Sequence, residues 1–247
     1  YLFFDELLRS NFASRDTSLV NDKKYEFRIS PKVALDFNCD IKNLNFKRFS
    51  GRNIQGQLNV KDRVALLKNV SLSAMGGSIK IGGYISNRND NLVETIADAA
   101  LNKLNADSIF YVFNNFNQNW LKGQVTSDIN LYMNFDKNLV LNSSSLIADI
   151  TATIENGELN NFEPMMKLSK FVEEESLANM RFSKMTNLIK IQNRTIHLPE
   201  MEIRSNVSNI LVRGTHTFDH VIDYRLKVPL RSFIRVSRRT DFEESAR

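Results

Sequence analysis

The residues of this chain that could do chemistry are few: His197, His216 and His220, a lone Cys39, and carboxylates spread along the sequence. The pair His216-x-x-x-His220, with Asp219 beside it, has the spacing at which two imidazoles bind one metal from a single helix face. The surrounding pattern is instead a strand ending at Phe218 and then a turn, so the two rings are expected to diverge. One cysteine excludes an internal disulfide framework and any cysteine-rich zinc site. The sequence has no G-x-S-x-G elbow, no H-E-x-x-H pair and no glycine-rich phosphate loop. Its Asp and Glu residues fall mostly on polar strand positions. This inventory points away from an enzyme, a metal site and any other cofactor.

The elements that carry these residues are organised by a repeat. Leu58-Asn-Val-Lys-Asp-Arg63, Leu67, Val70-Ser-Leu72 and Ile79-Lys-Ile81-Gly-Gly83 recur without a gap. The second copy is Ile189-Lys-Ile-Gln-Asn-Arg194, Leu198, Met201-Glu-Ile203 and Ile210-Leu-Val212-Arg-Gly214. Apolar residues separated by one polar residue lie on the same side of a strand. Each copy, 58–83 and 189–214, therefore reads as three strands, with a tight turn at Asp62-Arg63 or Asn193-Arg194 and a second turn before the last strand. A meander used twice is an architectural repeat rather than a catalytic one.

Outside the repeats the periodicity alternates between helix and strand. Phe4, Leu7, Leu8 and Phe12 predict a short amphipathic helix over 2–12. Val33, Leu35, Phe37, Cys39 and Ile41 alternate with polar positions and predict a long one-sided strand. Strands over 44–86 are expected to break at Gly51, Gly56, Asp62 and Gly76-Gly77. The stretch 87–121 reads as helical, with Asp107 as a cap and Ile109, Phe113, Phe116 and Trp120 on one face. Strands resume with Val125, Ile129, Leu131, Met133 and Phe135 on one side, then Leu146, Ala148, Ile150, Ala152 and Ile154. A turn is expected at Asn156-Gly157, then a helix over 161–176 with Pro164 in its first turn. That helix would bury Phe162, Met165, Leu168 or Ser169, and Val172. Ile222, Tyr224, Leu226, Val228 and Leu230 form a last strand.

The formal charge is +5, yet Lys and Arg are scattered, and only Arg231, Arg235, Arg238 and Arg239 cluster. A solvated tail accounts for that cluster better than a site for phospholipid headgroups or other anions does, and nothing points to nucleic acid. No Pro/Gly/Ser linker divides the chain, so 1–247 reads as one β-rich domain. Both termini look cut, and a piece of a longer protein is expected. No apolar run approaches the roughly 18 residues that a membrane helix needs.

A family resemblance emerges from the second half of the chain. Ile154-Glu-Asn-Gly157-Glu-Leu-Asn-Asn-Phe162-Glu-Pro, Arg181-Phe-Ser183, Ile191-Gln-Asn-Arg194 and Gly214-Thr-His-Thr-Phe218-Asp resemble the C-terminal region of AsmA-family proteins. The likeness is to the form found in Bacteroidota and similar Gram-negative bacteria, and it is densest over 122–230. It implies a periplasmic protein of outer-membrane biogenesis, tethered to the inner membrane through a segment outside this sequence. Relatives of the family are TamB and the bridge-like lipid transfer proteins. The implied fold is mainly β with a few amphipathic helices, a long curled antiparallel sheet whose apolar groove holds or conducts phospholipid acyl chains.

On that implication the apolar strand faces are the candidate groove lining: Val125, Ile129, Leu131, Met133, Phe135, Leu146, Ile150, Ile154, Ile203, Ile210, Val212, Leu226 and Val228. Periodicity leaves two outcomes open. If the helices over 107–120 and 161–176 close on this face it is a core; if the face stays open it is a groove. The partner is then phospholipid or another acyl lipid, or, for a scaffold without lipid transfer, an envelope-assembly protein docked on a sheet edge.

Overall fold

Eleven antiparallel strands, each hydrogen-bonded to the next in sequence, form one sheet in the computed structural model. It describes residues 26–46, 48–113, 120–161, 166, 169, 177–219 and 221–229. The strands are β1 (Leu35–Phe46), β2 (Phe49–Lys61), β3 (Val64–Ala74), β4 (Gly77–Ser86), β5 (Leu92–Asn105), β6 (Leu121–Asp136), β7 (Leu141–Asn160), β8 (Asn179–Gln192), β9 (Thr195–Arg204), β10 (Asn209–Thr217) and β11 (Ile222–Lys227). One helix, α1 (Ala106–Phe113), connects β5 to β6. The protein is thus mainly β, a single meander. β1 and β11 are edges that do not meet, so the sheet does not close into a barrel.

The two sequence copies occupy equivalent places. Leu72 pairs with Ile79 as Ile203 pairs with Ile210, and Leu67 with Gly83 as Leu198 with Gly214. The β3–β4 ladder shifts register between Leu67 and Val70, and the β9–β10 ladder shifts at the corresponding point between Leu198 and Met201. Such bulges bend a strand and strengthen its local twist. Both two-residue turns have two left-handed residues, Asp62 and Arg63 at φ 49° and 66°, Asn193 and Arg194 at φ 50° and 56°. This is the hairpin turn whose twist matches the flanking strands. Each turn also receives a hydrogen bond from outside the hairpin. Asn87 N donates to Arg63 O at 3.1 Å and Phe218 N to Arg194 O at 2.8 Å. The arginine side chains pair with Asp90 and Asp219. The Arg63 guanidinium holds the Asp90 carboxyl below its ordinary value, first through the hydrogen bond and then through charge.

Asn tolerates the left-handed region and a β-branched residue does not. An Asn193→Val variant should therefore lose about 1–2 kcal/mol in urea denaturation. Asn193→Gly should lose a few tenths at most. Equal losses in the two variants would remove the turn conformation as the cause.

Several expected elements differ. Residues 92–105 are strand, not helix, because Val93, Thr95, Ala97, Ala99 and Leu101 alternate along one face between β4 and β6. Helix α1 begins at Ala106, so Asp107 lies in its first turn rather than capping it. Trp120 stands outside α1, at the entry to β6, and its ring lies 6.4 Å from that of Phe110. Gly51 and Gly56 sit within β2 and do not end it. Asn156-Gly157 is no turn, and β7 runs through it. Asn156 takes φ 51°, and Gly157 leaves room for the Phe182 ring across the ladder, where a Cβ would stand 2.0 Å from Phe182 Cζ. β11 stops at Lys227, before Val228. The predicted helix at 2–12, most of the one at 161–176, Phe116, His220, Leu230 and the Arg231–Arg239 cluster lie outside the described residues.

Candidate functional site

Register across the ladders assigns each strand residue to one of two faces, and the faces differ in chemistry. On one, Asp98, Asn130, Asp149 and Lys190 are cross-strand neighbours, with Lys190 paired to Asp149 at 3.6 Å. Thr153 and Thr186 share a hydroxyl hydrogen bond of 2.9 Å on the same side. The other face is apolar. Val70, Ile81, Ala99, Ile129, Ile150 and Ile189 are consecutive cross-strand partners from β3 to β8. At an inter-strand spacing of about 4.8 Å this rung is about 24 Å long.

Burial along the apolar face is uneven. At one end α1 and the residues leading into β8 close over the sheet. Leu177, Met180, Phe182, Ile203 and Ile210 form a cluster there, with Leu177 and Ile210 at 1% exposure and Met180 at 0%. Ile109 of α1 packs against a second cluster built on Leu72, Ile79 and Leu104. At the opposite end Phe27 packs against Val93, Phe135 and Leu141. Phe27 N donates to Lys137 O at 2.7 Å, and Lys137 Nζ pairs with Glu26 at 2.6 Å. Between the two ends the Val70–Ile189 rung is half-buried, with Val70 and Ile81 packed against the cluster of Leu72, Ile79 and Leu104 and the rest of the rung outside it. Among the described residues, the apolar face is therefore a core at its ends and a partly exposed apolar trough in the middle.

The thirteen candidate lining residues divide along this line. Strand register and alternation bring twelve of them to the same face, and Val228 follows β11. Ile129, Leu131 and Ile150 are half-buried near the middle of the trough, between Ala97, Ala99, Ala148 and Ile189, whereas Met133 is half-buried against the Phe27 cluster. Val125, Ile154, Val212, Leu226 and Val228 are half-buried against the cluster at the α1 end. Ile203 and Ile210 are fully inside that cluster, Phe135 belongs to the Phe27 end, and Leu146 is 2% exposed. Sequence reasoning passed over Leu177 and Met180, two of the most buried side chains. It also passed over Ser127 and Asn187, which share the apolar face at strand parity that the alternation of β6 already implied.

The polar face holds two open dents, of about 630 and 690 Å³, at corresponding points of the two repeats. His197 lines the second, but the carboxylates beside it are engaged, Glu200 with Lys227 at 3.3 Å and Asp223 with Arg225 at 3.8 Å. His216 stacks edge-on to Tyr224 at 6.3 Å and shares a 3.4 Å contact with its hydroxyl, while Asp219 is bound to Arg194 at 2.7 Å. Among the described residues, no three His, Cys, Asp or Glu side chains are grouped to hold a metal ion, and no helix is long and apolar enough to cross a membrane.

Geometry defines the class: an open β-meander with one apolar face and one mixed face, on which Ile96, Tyr132 and Ile147 are cross-strand partners among polar residues. No family model, curated protein or solved structure matches the chain.

Proposed function

We propose that this protein is a non-enzymatic acyl-lipid carrier, with the trough between the two apolar clusters as the path of the lipid chain. The observation that carries the reading is the half-buried rung from Val70 to Ile189, apolar on six consecutive strands of a sheet over which, among the described residues, no second sheet lies. Burying a methylene is worth about 0.8 kcal/mol, so a long acyl chain in water costs on the order of 10 kcal/mol. A row of similar aliphatic side chains lets that chain shift without meeting water at each step. The aliphatic lining offers little directional bonding, so it holds chains without selecting among them. On the AsmA resemblance, the setting is the periplasm of a Gram-negative envelope, between the inner and outer membranes, with an inner-membrane tether outside this sequence.

Protein purified from membranes in mild detergent is expected to carry phospholipid in native mass spectrometry. Repeated preparations that are lipid-free throughout would overturn the carrier reading.

A second reading has its own observation. Edge strand β1 exposes Leu35, Phe37 and Phe46 at 46%, 52% and 52%. A long edge with apolar side chains is a surface on which another strand can pair. On this reading the chain is an assembly scaffold without lipid transfer, and a bound protein partner in place of lipid in the same spectra would favour it.

A further inference from the structure

The apolar face is broken at one rung. Leu101, Ser127, Ala152 and Asn187 are cross-strand neighbours on β5 to β8, directly beside the open rung through Ile129, Ile150 and Ile189. Ser127 is 4% exposed and Asn187 8%, and neither Ser127 Oγ nor Asn187 Oδ1 has a hydrogen-bond partner. Two inter-strand spacings separate their strands, about 10 Å, with only the methyl of Ala152 between them. Asn187 also lies where the β8–β9 ladder is interrupted. Pairs run from Gln192–Thr195 to Lys190–His197 and resume only at the Phe182–Ser205 bridge.

For a core, this rung is poorly composed. A polar group buried without a partner costs stability, and an aliphatic residue at either position would remove the cost. The position gives the two groups a use. They stand one rung to the α1 side of the half-buried row, so a chain lying along that row would have them as its nearest unpartnered polar atoms. Ser127 can donate its O–H to a carbonyl oxygen, and Asn187 Oδ1 can accept from an O–H or N–H. Hydrocarbon on the adjacent rung, with a carbonyl and a donor one rung further, is the chemistry of an acyl chain at its junction with a headgroup.

We propose that Ser127 and Asn187 form a polar step that seats the chain–headgroup junction of an acyl lipid carrying a carbonyl together with a hydroxyl or amide N–H. The proposal rests on the carrier reading above and deepens it. A uniform apolar track lets a chain slide freely, whereas a polar step gives it a preferred register. Thr95, whose Oγ1 is also unpartnered, stands two rungs away on the far side of the open rung and is no part of the step.

The test compares the full chain with a Ser127→Ala/Asn187→Leu double variant. Both substitutions replace unpartnered polar groups with apolar ones, so the variant is expected to fold, as circular dichroism and a thermal melt would check. Displacement of a bound pyrenyl alkane is measured with two probes, monopalmitoylglycerol, which has an ester carbonyl and hydroxyls, and hexadecane, which has neither. The wild type's preference for monopalmitoylglycerol over hexadecane is expected to fall about tenfold or more in the variant, with hexadecane affinity unchanged. An equal preference in the two proteins would overturn the polar step and leave the carrier standing. A wild type that binds neither the alkane nor the glyceride would overturn both.

Discussion

An Ile210→Asp substitution is expected to abolish folding of the chain. Ile210 is 1% exposed, opposite Ile203 in the β9–β10 ladder, within the cluster of Leu177, Met180 and Phe182. A carboxylate there has no cation among the described residues of the cluster to pair with, and burial without a partner costs several kcal/mol in addition to the lost aliphatic contacts. Typical domains are stable by only about 5–15 kcal/mol, so one such change consumes most of the margin. Ile210→Ala removes the contacts without adding charge and should cost about 2–5 kcal/mol, leaving a folded but weaker protein. Circular dichroism with urea titration checks both. If Ile210→Asp melts with the wild type, the α1 end is not a closed core.

The alternation along β6 and β7 was legible because both strands are long and present apolar side chains to one face only. Val125 to Phe135 and Leu146 to Ile154 read with period two, and the ladders bring them together at Ile129–Ile150 and Val125–Ile154. The repeat was legible for a similar reason, since its turns depend on Asp62-Arg63 and Asn193-Arg194 themselves. β5 was hidden by composition. Leu92–Asn105 is rich in Ala and Leu, good helix formers, and only pairing with β4 and β6 makes it a strand. Asn156-Gly157 has the residues of a turn, but Phe182 occupies the space over Gly157 and holds β7 straight through. Whether the apolar face was covered could not be read from periodicity. Coverage depends on how far α1 and Leu177 reach along it, which is a tertiary property. A carrier and a core use the same residue types, and here the face divides between them.

That division yields the second expected result. Ile150→Arg should leave the protein folded and strip it of bound lipid. Ile150 is half-buried, with Ile129 and Ile189 opposite it on the neighbouring strands. An arginine at this point can lay its methylenes on the sheet and lift its guanidinium into the open trough, where it stays hydrated. The stability lost is the half-burial of one isoleucine, about 1–2 kcal/mol. An acyl chain in the trough would have to displace that water from the charge, which costs several kcal/mol and lowers affinity by about a hundredfold or more. Thr151→Arg is the control, since Thr151 is exposed on the polar face one residue away. It should change neither stability nor lipid content. Thermal melts and extracted phospholipid, measured on the same preparations, separate the cases. An Ile150→Arg protein that is folded and lipid-poor beside a lipid-loaded Thr151→Arg protein supports the trough as the lipid path. A folded Ile150→Arg protein with full lipid content would mean that the lipid lies elsewhere. An unfolded one would make the middle of the sheet core like its ends, and the apolar face would then have no path left for an acyl chain.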